Sequence, residues 1–193
     1  MKKSTLIILA IVAVVVVWAI SGYNGLVSKE EGVNQAWANV ESAYQRRSDL
    51  IPNLVNTVKG YAEHESETLQ AVTDARAKAT SLNIDPATAS PEQVAAYMEA
   101  QQGVGSALGR LIAVSESYPE LKANENFRDL QAQLEGTENR IKVERDRYNE
   151  AVKKFNVQIR RFPTNILASI FGFEKRSMFE AQEGAEVAPV VEF

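Results

Sequence analysis

Eighteen consecutive uncharged residues, Thr5 to Gly22 (TLIILAIVAVVVVWAISG), constrain this chain more than any other feature. As a helix rising 1.5 Å per residue they extend about 27 Å, close to the hydrocarbon thickness of a bilayer. Lys2 and Lys3 precede the segment, and Trp18 and Tyr23 fall near its far end, where amphipathic rings favour the headgroup interface. The two lysines place the N-terminus in the cytoplasm and the body outside an inner membrane, a modest bias that Lys29 on the far side weakens. A basic start, an apolar run and the small residues Ala19 and Ser21 also suit a cleaved signal peptide. The run is at the long end for a signal, and helix-compatible sequence resumes soon after it, which favours a retained single-pass anchor over residues 1–22.

A chain of 193 residues is long enough for one well-buried domain beyond the anchor and short for two. Residues 23–183 are expected to form that domain, and 184–193 a frayed tail. The composition, 45% hydrophobic and 24% charged with 10 Gly and 6 Pro, is that of a packed globular protein. Lys2 and Lys3 set aside, 19 basic side chains face 25 acidic ones, so a phosphate backbone would repel the body and nucleic acid is not an expected partner. Cysteine is absent from the sequence, which excludes disulfides, thiolate catalysis, a lipidated-cysteine anchor and cysteine zinc sites together.

After Gly25, Val33, Ala36, Trp37, Val40 and Tyr44 recur at helical spacing and predict a first body helix to about Ser48. A second is expected from Pro52, capped by Asp49, with Leu54, Val55, Val58, Tyr61, Leu69, Val72 and Ala75 on its apolar face. The turn-rich stretch from Ser81 to Pro91 ends it. Ser90 as cap and Pro91 at the first position start a third helix, whose stripe is Val94, Tyr97, Met98, Val104, Leu108, Leu111 and Ile112, and Tyr118-Pro119 ends it. Gly103, Gly105 and Gly109 within it would serve close backbone packing.

The fourth and longest helix, Asn124 to Phe162, carries Phe127, Leu134, Ile141, Tyr148, Phe155 and Phe162 seven residues apart, widened by Leu130, Ala151, Val152 and Ile159. Such a heptad predicts helices packed side by side along their length. Asn165 to Ala181 reads as a short amphipathic piece. No segment alternates with period two, so no sheet is expected. The fold class is all-α: a transmembrane helix followed by an antiparallel four-helix bundle of long helices.

The runs AWANVESAYQRRSDLIPNLVNTVKGYAEHE, Ala36 to Glu65, and YNEAVKKFNVQIRRFPTNILASIFGF, Tyr148 to Phe173, resemble the LemA family of bacterial membrane proteins. The likeness covers nearly the whole chain. It implies a four-helix antiparallel bundle behind a single transmembrane helix, in a family without an established molecular activity. Its magnetosome-membrane members imply a role in organising membranes or membrane assemblies.

Residue by residue, no constellation for catalysis or cofactor binding emerges. His64 lies in Glu63-His64-Glu65, but a Glu-x-x-His pair would need glutamate at Tyr61, so the histidine reads as a surface residue and no metal is expected. Neither a glycine-framed nucleophile turn nor a phosphate loop occurs. Arg46, Arg47, Asp49, Lys59, Tyr61 and Glu65 form the densest polar group of the family-like motif. They suit helix-end solubility, or a partner-binding end in which the arginine forks meet a carboxylate or phosphate. Lys153, Lys154, Arg160, Arg161, Lys175 and Arg176 gather beside Phe171 and Phe173, as a solvated face or a lipid-facing foot for anionic headgroups.

These features together describe a noncatalytic, membrane-anchored scaffold or adaptor of the cell envelope. Its expected partners are the bilayer, another envelope or membrane protein, and a second copy of itself. The competing reading is an extracytoplasmic sensor whose bundle opens around a peptide or lipid.

Overall fold

In the computed structural model, which describes residues 3–179, one helix, α1, runs unbroken over Lys3–Lys59. The anchor, the first body helix and the start of the expected second helix are therefore a single element. Pro52 does not start a helix; it lies inside one, on an exposed face. Its missing N–H and its ring cost on the order of 3 kcal/mol at such a place. The buried stripe explains why the helix persists: Val40, Tyr44, Ile51, Leu54 and Val58 continue through the proline at helical spacing, and breaking there would forfeit their common face. Asp49, expected as a cap, accepts a hydrogen bond of 2.7 Å from Gln45 one turn earlier on the same helix. The real break falls at Gly60 to Glu65, where the backbone leaves the helix through short turns.

The remaining elements are α2 (Ser66–Ser81), α3 (Pro91–Val114), a 3-10 turn at Ser115–Ser117, α4 (Pro119–Ala123), α5 (Glu125–Arg160) and α6 (Thr164–Phe171). The chain is all-α, and no strand occurs among the described residues. The described residues divide into two compact units, 3–49 with 132–176 and 50–131 with 177–179.

In the first unit α1 and α5 run antiparallel. Trp37 meets Tyr148 edge-on at 5.3 Å, and farther along α1, Arg47 meets Glu138, which lies earlier on α5. The heptad residues Leu134, Ile141, Tyr148 and Phe155 are buried, as are Val33, Ala36, Trp37, Val40 and Tyr44 of α1. The seam is one step shorter than its sequence pattern, because α5 ends at Arg160 and Phe162 is 77% exposed. α6 ends at Gly172, whose φ of +74° is the left-handed geometry that glycine adopts without strain. The amphipathic piece is thus helical only to Phe171. Beyond it Arg176 docks on α5, its backbone N–H donating to Asn156 Oδ1 at 3.0 Å and its carbonyl accepting from Asn156 Nδ2 at 2.9 Å.

The second unit is built on an antiparallel α2–α3 hairpin. Ser90 and Gln93 form the expected capping box at the start of α3, each side chain bonding the other's backbone. Gly103 and Gly109 do not serve close packing: a methyl group added at either would meet open space. At the start of α5, Asn124 Oδ1 accepts from the Phe127 N–H at 2.9 Å, the cap that polar residues supply at helix starts. The tail 184–193 and Ala181 lie outside the described residues.

Candidate partner-binding and membrane-facing sites

The first unit carries a groove of 570 Å³ between α1 and α5, lined by Asn39, Ser42, Ala43 and Arg46 from α1 and Gln133, Gly136, Thr137 and Arg140 from α5. It forms because the facing residues are small: Ala43 and Gly136 leave space that larger side chains would fill. Two polar groups sit on the α5 seam beside it. Thr137 is 3% exposed and donates to the Gln133 carbonyl at 2.7 Å. Glu144 is fully buried, with Arg140 at 2.7 Å and Arg147 at 2.8 Å on the same carboxylate oxygen.

Adjacent arginines divide their work here. Arg46 is exposed at the groove and enters none of the ion pairs among the described residues, so its planar fork is free to meet a carboxylate or phosphate. Arg47 is 3% exposed, pairs with Glu138 at 2.9 Å and lies 5.1 Å from the Tyr44 ring centre. It is a structural residue. Burial pushes the Tyr44 hydroxyl above its ordinary pKa, against the opposing pull of Arg145 and Arg47. Burial likewise pushes Tyr148 up to about 12, with Arg176 opposing.

Of the other residues in that motif, Asp49 is exposed in the first unit. Lys59, Tyr61 and Glu65 lie in the second, at the α1–α2 turn. There Tyr61 accepts from Asn124 Nδ2 at 2.9 Å, and Tyr118 donates to Glu65 at 3.1 Å. The latter bond, to a carboxylate, raises the Tyr118 pKa. Tyr61 also lines a 360 Å³ hollow with Ser117, Pro119 and Leu121. His64 is exposed.

The basic and aromatic foot lies where α5 ends and α6 begins. Arg160, Arg161 and Lys175 are exposed, and so are Lys153 and Lys154, the last paired with Glu150 at 2.7 Å. Arg176 is withdrawn from that surface: its side chain is 8% exposed, pairs with Glu30 and stands 5.8 Å from the Phe155 ring. Tyr23 of α1 contacts Phe171 at 4.7 Å and Phe173 at 5.9 Å between ring centres. Leu167 packs on Gly22 so closely that a methyl group there would fall 2.5 Å from Leu167 Cδ1.

Reading the sequence alone passed over Thr137, Glu144 and the α5 wall of the groove. The signal was present in the heptad: three positions after the buried Leu134 and Ile141, where a seam wants apolar residues, stand Thr137 and Glu144.

A helix long and apolar enough to cross a bilayer, none of its membrane window buried, thus continues directly into a grooved helical body. This defines a single-pass membrane protein with an all-α body. The chain belongs to the LemA family, whose model matches residues 36–193. Among similar proteins, Magnetosome protein MamQ 2 of Paramagnetospirillum magneticum is 28% identical over 186 residues, covering 88% of this chain and 68% of that protein. Magnetosome protein MamQ of Magnetospirillum gryphiswaldense is 27% identical over the same shares. Protein LemA of Metamycoplasma hominis is 26% identical over 160 residues, 83% of this chain and 69% of its own length.

Proposed function

We propose that this protein is a noncatalytic scaffold or adaptor of the bacterial envelope, anchored in the inner membrane with its body outside the cytoplasm. Its α1–α5 groove would receive an acidic segment of another membrane or envelope protein. The observation that carries the reading is Arg46, an exposed guanidinium without an ion partner among the described residues, at the mouth of a groove on the same helix that is long and apolar enough to cross the bilayer. An unbroken helix transmits position without a flexible linker, which suits a protein whose task is to hold a partner at a fixed place beside a membrane. Magnetosome proteins among the relatives are in keeping with membrane assemblies.

Crosslinking in native membranes, read by mass spectrometry, tests this with Arg46→Gln alone. The variant should keep its abundance and melting temperature and lose a partner that the parent captures. Equal recovery of every partner would make Arg46 a solubilising residue and remove the adaptor reading. Capture of only a second copy of the chain would replace the adaptor by a self-assembling scaffold. The groove's volume lies within the range of small-ligand sites, which supports the sensor reading as a second one. A rise in melting temperature with the low-molecular-weight fraction of an envelope extract, and not with the retained fraction, would favour it.

A further inference from the structure

We propose that α6 is an interfacial helix that lies on an anionic bilayer surface beside the point where α1 leaves the membrane. The proposal rests on the reading that Thr5–Gly22 spans the bilayer, and goes beyond the adaptor role, which does not require it.

Three observations converge. Leu167 seats on Gly22, and the Phe171 ring meets Tyr23 at a tilt of 56°. The strongly apolar run ends at Gly22, with the interface-favouring Tyr23 and the polar Asn24 directly after it, so α6 is held at the level of the membrane boundary. Burial of α1 starts just beyond, at Leu26, which is fully covered. The body therefore begins at this level, and α6 belongs to its membrane-proximal end.

The second observation is the face α6 leaves open. Leu167 and Ala168 are buried, while Ile166 is 46%, Ile170 68% and Phe171 52% exposed, with Phe162 just before the helix at 77%. Ile166 and Ile170, one turn apart on the same face, would leave an apolar strip in water. Placed at the boundary of the hydrocarbon, they have an apolar phase within reach and would enter it side by side.

Charge completes the match. Arg160 and Arg161 precede α6 in the chain and Lys175 follows it, all three exposed, with Glu174 the opposing charge between Phe173 and Lys175. Long basic side chains lay their stems along apolar surface and hold their heads at phosphate depth. Lys153 and Lys154 stand about 10 Å back along α5, six to seven residues at 1.5 Å each, and are not part of this contact. Arg176, committed to Glu30, is not either.

The chain has no cysteine, so single cysteines introduced for nitroxide labels report one site each. The full chain would be reconstituted in vesicles of phosphatidylcholine mixed with phosphatidylglycerol. Labels at Ile170→Cys, at Val12→Cys within the anchor and at Glu63→Cys on the exposed α1–α2 turn would then be compared by collision with oxygen and with a water-soluble nickel chelate. The expected result is a severalfold preference for oxygen at positions 170 and 12 and the reverse at 63. Replacing Arg160, Arg161 and Lys175 by Gln together, or omitting phosphatidylglycerol, should move position 170 toward the aqueous value and leave position 12 unchanged. Position 170 aqueous with position 12 in lipid overturns the proposal alone; both aqueous overturns the anchor reading as well. A label at 170 that neither reagent reaches marks a protein contact there and overturns the lipid surface. A depth indifferent to all three charges and to lipid charge overturns the anionic specificity.

Discussion

Arg47 buries its guanidinium between the Glu138 carboxylate and the Tyr44 ring, while Arg46, one residue earlier and about 100° round the helix, ends in water at the groove. The two partners of the pair are unequally buried, 4% exposed for Arg47 and 42% for Glu138, and that asymmetry sets the cost of breaking it. Glu138→Gln takes the carboxylate away from a buried cation and should destabilise by about 2 to 3 kcal/mol. Arg47→Gln leaves a carboxylate that water reaches, and about 1 to 3 kcal/mol is expected. Arg46→Gln should stay within about 0.5 kcal/mol of the parent. Denaturant melts of the three variants check the order, and equal values for positions 46 and 47 would place both side chains at the surface. Tyr148 carries a pH signature. Its folded pKa, near 12, lies above the ordinary value of 10.0, so its neutral form adds stability in full below pH 10. That contribution fades as pH rises from 10 through 12, by on the order of 2 to 3 kcal/mol. Tyr148→Phe should flatten this alkaline decline of the melting temperature. An unchanged decline would assign it to other groups.

At the scale of elements, α1 tolerates a proline that a shorter helix would have used as its start. If Pro52 is interior, Pro52→Ala restores the N–H facing the Ser48 carbonyl and should raise stability by about 1 to 3 kcal/mol. Had Pro52 opened a separate helix, alanine there would be neutral or harmful, so a melting curve distinguishes the two. The α3 glycines give a parallel test. Gly103→Ala and Gly109→Ala place a methyl group in open space on a helix interior, and each should add about 0.5 to 1 kcal/mol. The α5 seam was legible because Leu134, Ile141, Tyr148 and Phe155 repeat at a fixed interval, and the Ser90 cap because its partners lie within one turn. The α1 break was misplaced from Gly60 to Pro52 because a proline reads along the chain as a helix start, whereas Ile51, Leu54 and Val58 are buried at helical spacing through it.

For the whole molecule, the open question with the sharpest readout is which side of the membrane holds the body. The lysines before the apolar segment predict that alkaline phosphatase fused after Phe193 is active and that a fluorescent protein folding only in the cytoplasm is dark. The opposite pair of results would reverse the proposed topology and move the groove to the cytoplasmic face. The sequence by itself determined the all-α class, the bilayer-length segment, the register of α5 and the family, because each is written in spacing and composition along the chain. It could not decide which of two adjacent arginines is buried, that Glu144 sits covered in an apolar seam, or that Gly22 receives Leu167. Those facts depend on what stands opposite each residue, and only when α1, α5 and α6 are packed does a position acquire its neighbour, its burial and its charge partner.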